Sequence, residues 1–140
     1  MKTVSAFVFL IALCPLFLLS EEKTPAPAKD PKVTVYYFHR VNRCSGCRHA
    51  EAVTTEALKE NFAAEMEKGT LKFASVAVDG PVAEKMIAED FGAFGPSVFI
   101  AYPKDGKIQK VELDKMWDKL NEGEKAYKAY VIENLKKYLL

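Results

Sequence analysis

Two cysteines three residues apart, Cys44 and Cys47, stand between an apolar β-branched run and a long amphipathic stretch. A disulfide across so short a loop removes little chain entropy, so the pair points to chemistry rather than to cross-linking. The start of a helix leaves N–H groups unpaired and presents the positive end of its dipole, which favours an anion there. The thiolate is the reactive form of cysteine, and such a setting lowers its pKa. Local composition acts in the same direction. From Val33 to Ala50 there is no acid, whereas His39, Arg40, Arg43, Arg48 and His49 all occur. Cys44, beyond the helix end, reads as the nucleophile. Cys47, one turn in and on the same face, reads as the thiol that resolves a mixed disulfide. The redox-active pair Cys44–Cys47 then needs no cofactor. There is no flavin, haem or iron–sulfur signature, and two cysteines cannot hold a cluster that requires four.

The neighbours of the pair divide into helpers and bystanders. Gly95-Pro96 opens a later strand; its plain reading is a helix stop. His39, Arg43, Arg48 and Glu51 are candidates for shaping the dithiol pocket and tuning its protonation. Glu51, one turn after Cys47, would accept a proton or orient Arg48; its plain reading is a surface carboxylate. A metal site is the rival chemistry, but a structural zinc needs four ligands. Only Cys44, Cys47, His39 and His49 lie close in sequence, and His49 points to nearly the opposite side of the helix from Cys47. No metal ligand is therefore assigned. Trp117 and the tyrosines of the last helix read as core or patch residues, and a patch around Trp117 and Tyr127 would suit a docking subunit.

The elements that must position these residues follow from periodicity. Val33 to His39 is β-branched and aromatic, a buried strand. Ser45 to Lys68 carries Ala50, Val53, Ala57, Leu58, Phe62 and Met66 near 3.6 spacing, one long amphipathic helix stopped by Gly69. Leu71 to Val78 alternates as a strand, and Val82 to Phe91 is a short helix after Pro81. Ser97 to Tyr102 and Ile108 to Leu113 are strands joined by the Asp105-Gly106 hairpin signal. Asn121 with Glu124 gives a capping-box pattern for a closing helix lined by Tyr127, Tyr130, Val131, Leu135 and Tyr138. The order β-α-β-α-β-β-α predicts an α/β fold, a four-stranded mixed sheet flanked by helices. Its first strand pair is parallel and its last antiparallel.

The remainder of the chain sets the context. Met1 to Ser20 has Lys2, an apolar run from Val4 to Leu19 and an abrupt end at Glu21-Glu22, the layout of a secretory signal. The competing reading is an uncleaved anchor. Its sixteen residues would span roughly 24 Å as a helix, short of a ~30 Å hydrocarbon core. Cys14 sits inside this run after Leu13, a poor setting for lipidation. Residues 21–32 carry three prolines and no large apolar side chain and read as a linker before a domain at 33–140. The expected location is therefore the exported, periplasmic side. With 20 Lys+Arg, 19 Asp+Glu and net charge +1, the chain has no basic field for nucleic acid. With 49% hydrophobic and 28% charged residues it is globular, and three cysteines exclude a disulfide-dense scaffold.

A Cys-x-x-Cys beside a βαβ pattern is a thioredoxin-like signal. Val33 to about Tyr138 resembles a thioredoxin-like domain. More narrowly it resembles the thioredoxin-like nitrophenyl-compound nitroreductase small-subunit family of organoarsenical and quinone-linked redox operons. The residues that carry this are Tyr36-Tyr37-Phe38-His39, Arg43-Cys44-Ser45-Gly46-Cys47-Arg48, Glu51, and Leu113-Asp114-Lys115-Met116-Trp117. The resemblance implies thiol–disulfide exchange at Cys44 and Cys47 with a protein disulfide or dithiol client, and a cis-proline at Pro96 whose backbone, with Gly95, would hold the bound client. It also implies a membrane redox partner or nitroreductase complex. The chain departs from ordinary thioredoxins in two places. Arg43 and Ser45-Gly46 replace the Trp and Gly-Pro of the usual motif, and the strand before the dithiol has Tyr36 and Tyr37 where a buried acid is expected.

Overall fold

The computed structural model describes residues 32–139. The expected leader, Cys14 and all of the linker except Lys32 lie outside the described residues. The elements are β1 (Val33–His39), α1 (Ser45–Asn61), α2 (Ala63–Glu67), β2 (Leu71–Ala77), α3 (Val82–Phe91), β3 (Ser97–Lys104), β4 (Lys107–Glu112), α4 (Met116–Glu122) and α5 (Glu124–Leu139). The four strands form one sheet in the order β2-β1-β3-β4. β1 and β2 are parallel, and the other two pairings are antiparallel. This is the α/β arrangement expected from the sequence, a four-stranded mixed sheet flanked by helices.

β1 is central and buried on both faces, which is why it reads as an unbroken apolar run. Its alternation sends Val33, Val35 and Tyr37 into one core with Val53 and Leu58 of α1 and Tyr127, Val131 and Leu135 of α5. Phe38 faces the other way, into a smaller core with Val76, Ala88 of α3, Ala93 and Phe99. Thr54 of α1 accepts a place in the large core because its Oγ1 donates to Ala50 O at 2.7 Å and meets Tyr127 Oη at 2.7 Å. That pairing ties α1 to α5 without leaving a buried hydroxyl unsatisfied.

Two expectations are corrected. The helix expected to run from Ser45 to Lys68 is two helices. Phe62 leaves the helical region at φ −135° and ψ 27°, so that its ring is buried while its N–H still reaches Leu58 O. The Asn121–Glu124 capping box does not form, because Asn121 belongs to α4, a short helix the periodicity did not reveal. Gly123, at φ 121° in a region that side chains avoid, makes the sharp turn from α4 into α5.

Candidate functional site

One end of the sheet gathers the candidate residues. β1 ends there at His39, and β3 begins there, because Phe38 is paired with Ser97. Gly95-Pro96 therefore arrives beside the loop that leads from β1 to Cys44. The segment after β4 returns to the same end, with Leu113 N–H donating to Val98 O at 2.8 Å. The loop out of β1 is tied down by Asp79, whose Oδ1 accepts from Val41 N–H at 2.7 Å. Val78 N–H donates to His39 O at 2.7 Å alongside it.

Cys44 is the N-cap of α1, in extended conformation at φ −70° and ψ 165°. Its Sγ accepts the Cys47 N–H at 3.2 Å, and its carbonyl accepts the Arg48 N–H at 3.2 Å. A sulfur thus stands where a Ser or Asp oxygen commonly caps a helix. Both cysteines are free thiols; Cys44 is exposed, whereas Cys47 is buried with 9% of its surface accessible. Hydrogen bonding from the Cys47 side chain, then from the Cys47 backbone N–H, lowers the Cys44 pKa below its ordinary value. Burial raises that of Cys47, and hydrogen bonding to Cys44 adds to the rise. Two identical side chains are split in opposite directions by geometry alone.

The basic surround works differently from the sequence expectation. Hydrogen bonds, not arginines, head the causes at Cys44; Arg43 instead favours the thiolate of Cys47. Glu51 pairs with Arg43 rather than with Arg48. Arg48 donates from Nη1 to Arg43 O at 2.6 Å, bracing the turn before Cys44. His49 turns away to Glu124, with Nε2 3.4 Å from Oε1. His39 uses Nδ1 on Arg40 O at 2.8 Å and stacks near Tyr37, with ring centroids 6.3 Å apart. Acids distant in sequence, Asp79 and Glu124, therefore enter a region that is free of acids in its own stretch.

Tyr37, one of the two tyrosines of β1 that stand where a buried acid is expected, is a site residue. Its buried hydroxyl donates to the Cys47 carbonyl at 2.7 Å, and the Arg43 guanidinium lies 5.9 Å from its ring centre. Burial, with Cys47 close by, pushes its pKa well up, so the phenol stays a donor. Trp117 is the second addition. It belongs to α4, and a Cβ built on Gly46 would sit 4.0 Å from its Cζ3 and 3.9 Å from Cys44 Sγ. No signal in the local sequence links Trp117 to the dithiol; the link is made by the return of the chain after β4. The patch expected around Trp117 and Tyr127 does not form, because Tyr127 is wholly buried.

Gly95 and Pro96 are at the site end of the sheet, but no cis peptide bond occurs among the described residues. The cis geometry implied at Pro96 is therefore corrected to trans, in a tight turn where Ser97 Oγ donates to Gly95 O at 3.1 Å. Beside it Phe94 is 82% exposed, and Val41 in the loop before Cys44 is 59% exposed. Among the described residues no three His, Cys, Asp or Glu side chains gather as a metal-ligating group. No helix among them is long and apolar enough to cross a membrane.

No family model and no curated protein matches the chain. It is similar to the solution structure of a thioredoxin from Thermus thermophilus at a TM-score of 0.38 and 23% identity. That match spans 57% of this chain and 58% of the other, less than two thirds of either.

Proposed function

We propose that the chain is a thiol–disulfide oxidoreductase with Cys44 as nucleophile and Cys47 as resolving thiol. The observation that carries the reading is the exposed Cys44 Sγ at the N-cap of α1, holding the Cys47 N–H, with the Cys47 thiol buried behind it. The Cys44 thiolate attacks a client disulfide, forming a Cys44–client S–S bond and expelling one client sulfur as thiolate, which takes up a proton. Cys47 then gives up its proton and attacks Cys44 Sγ. The Cys44–Cys47 bond forms, the mixed disulfide breaks and the second client thiol leaves. Two electrons pass from the dithiol to the client, and the reverse sequence oxidises a client dithiol.

Tyr37 and Arg43 act on the second step. The Tyr37 hydroxyl holds the Cys47 carbonyl, and the Arg43 charge offsets part of the burial that disfavours the Cys47 thiolate. Gly95-Pro96 offers backbone beside the dithiol for an extended client. Exposed Phe94 and Val41 favour a polypeptide over a small thiol. The apolar run Val4–Leu19 supports placing this activity on the exported, periplasmic side of a membrane. The narrower family resemblance, carried by Arg43–Arg48 and Glu51, supports an electron-transfer complex such as a nitroreductase as the partner that recycles the dithiol. Reduction of insulin disulfides by the isolated protein tests the central reading. Cys44→Ser is expected to abolish turnover, and Cys47→Ser to accumulate a mixed disulfide through Cys44. Full turnover by both variants would overturn it.

A further inference from the structure

Cys44 Sγ and the Trp117 indole both flank Gly46. A Cβ on Gly46 would make ordinary van der Waals contact with both, at 3.9 Å from Sγ and 4.0 Å from Cζ3. Gly46 places no side chain between them, and 38% of the Trp117 surface is accessible. The turn that leads into Trp117 is well tied. Leu113 and Met116 on either side of the turn are buried, and Met116 N–H donates to Leu113 O at 3.1 Å. The Tyr130 hydroxyl of α5 bridges Asp114 Oδ1 at 3.2 Å and Lys115 N–H at 3.4 Å. A pre-organised aromatic surface beside a reacting sulfur gains contact with an apolar group at little ordering cost.

We infer that Gly46 and Trp117 form a specificity slot beside Cys44 that receives the apolar side chain next to the half-cystine of a polypeptide client. This rests on the thiol–disulfide reading and adds a preference among clients. Trp117 comes from α4, seventy residues after the dithiol, so the preference is separable from the exchange chemistry.

The test compares two short peptide disulfides that differ only in Leu or Ser beside the cystine, with bis(2-hydroxyethyl) disulfide as a reference. The reduced wild-type protein is expected to favour the Leu peptide in kcat/KM. Trp117→Ala is expected to cut that Leu-over-Ser ratio about fivefold, the scale of one lost aromatic contact. Trp117→Phe should retain most of it. Gly46→Ala, which leaves the indole in place, should cut it by filling the slot. Trp117 is the single tryptophan of the sequence, so emission gives a second readout. In Cys47→Ser, the mixed disulfide with the Leu peptide should shift emission more than that with the Ser peptide. An unchanged ratio in both Trp117→Ala and Gly46→Ala, with the reference disulfide still exchanging, would overturn the slot alone. No exchange with any of the three disulfides would overturn the underlying reading as well.

Discussion

Cys44 and Cys47 begin as the same side chain, and their surroundings make them different. The Cys44 sulfur lies in solvent and receives hydrogen bonds, whereas the Cys47 sulfur lies behind it with its thiol desolvated. Tyr37 holds the backbone of the buried partner by a hydroxyl-to-carbonyl bond. Tyr37→Phe keeps the ring and removes that bond. It is expected to cost about 1 kcal/mol of stability, read from urea denaturation of the reduced form. Arg43 supplies the charge that favours the Cys47 thiolate, so Arg43→Ala should raise the Cys47 pKa further. The check is the pH dependence of Cys47 alkylation in a Cys44→Ser background, whose midpoint should move up. The Arg43–Glu51 pair is partly exposed, with side-chain exposures of 22% and 19%, and the buried Arg43 Nε lacks a partner. Its net contribution to stability is accordingly on the order of 1 kcal/mol or less, and salt should weaken it. The placement of the two cysteines at the start of a helix, one exposed and one a turn further in, was legible from spacing and position. The contacts were not, because only the fold brings the Tyr37 hydroxyl to the Cys47 carbonyl and Trp117 to Gly46.

At the scale of elements, the site depends on α1 being held at a constant height against the sheet. The Thr54–Tyr127 contact does this between α1 and α5. Burial pushes the Tyr127 pKa up to about 12, so this hydroxyl is neutral and needs a partner in the core. Thr54→Val keeps the volume but orphans the Tyr127 hydroxyl. The expected loss is about 1–3 kcal/mol, measurable as a lower denaturation midpoint. Gly123→Ala is expected to destabilise as well, because a Cβ is strained at φ 121°. β1 and α3 have the boundaries read from the sequence, since a β-branched run and a helix between Pro81 and Gly92 announce themselves locally. The break at Phe62 was not legible, because Ala63 and Ala64 are good helix formers and only the burial of the Phe62 ring ends the helix. α4 is 7 residues long, too short to show a period, and Asn121 with Glu124 mimics the start of a helix where α4 in fact ends at Gly123.

For the whole molecule, opposite shifts at the two thiols link reduction to pH. The Cys44 pKa is lower in the folded than in the unfolded chain, so its thiolate stabilises the reduced fold. That contribution is complete above the unfolded thiol value of about 8.5 and is lost as pH falls through the folded Cys44 pKa. Cys47 has the opposite sign: its raised pKa costs stability as pH climbs above about 8.5. Relative to the oxidised form, the reduced protein should therefore be most stable near that pH and less stable on either side, as paired denaturation curves would show. The four-stranded mixed sheet and its β2-β1-β3-β4 order bring Cys44, Pro96 and Trp117 to one end of the molecule, although they are far apart in the chain. The parallel first pair and the antiparallel last pair follow from connection lengths and were legible; the strand order was not read, and the trans bond before Pro96 was not legible, since the resemblance implied the other isomer. The most direct measurement is the alkylation rate of each cysteine in the reduced, metal-free protein across pH, resolved by mass. The account predicts a fast Cys44 that titrates below about 8.5 and a slow, protected Cys47. Two cysteines that react alike near the ordinary thiol value would contradict it.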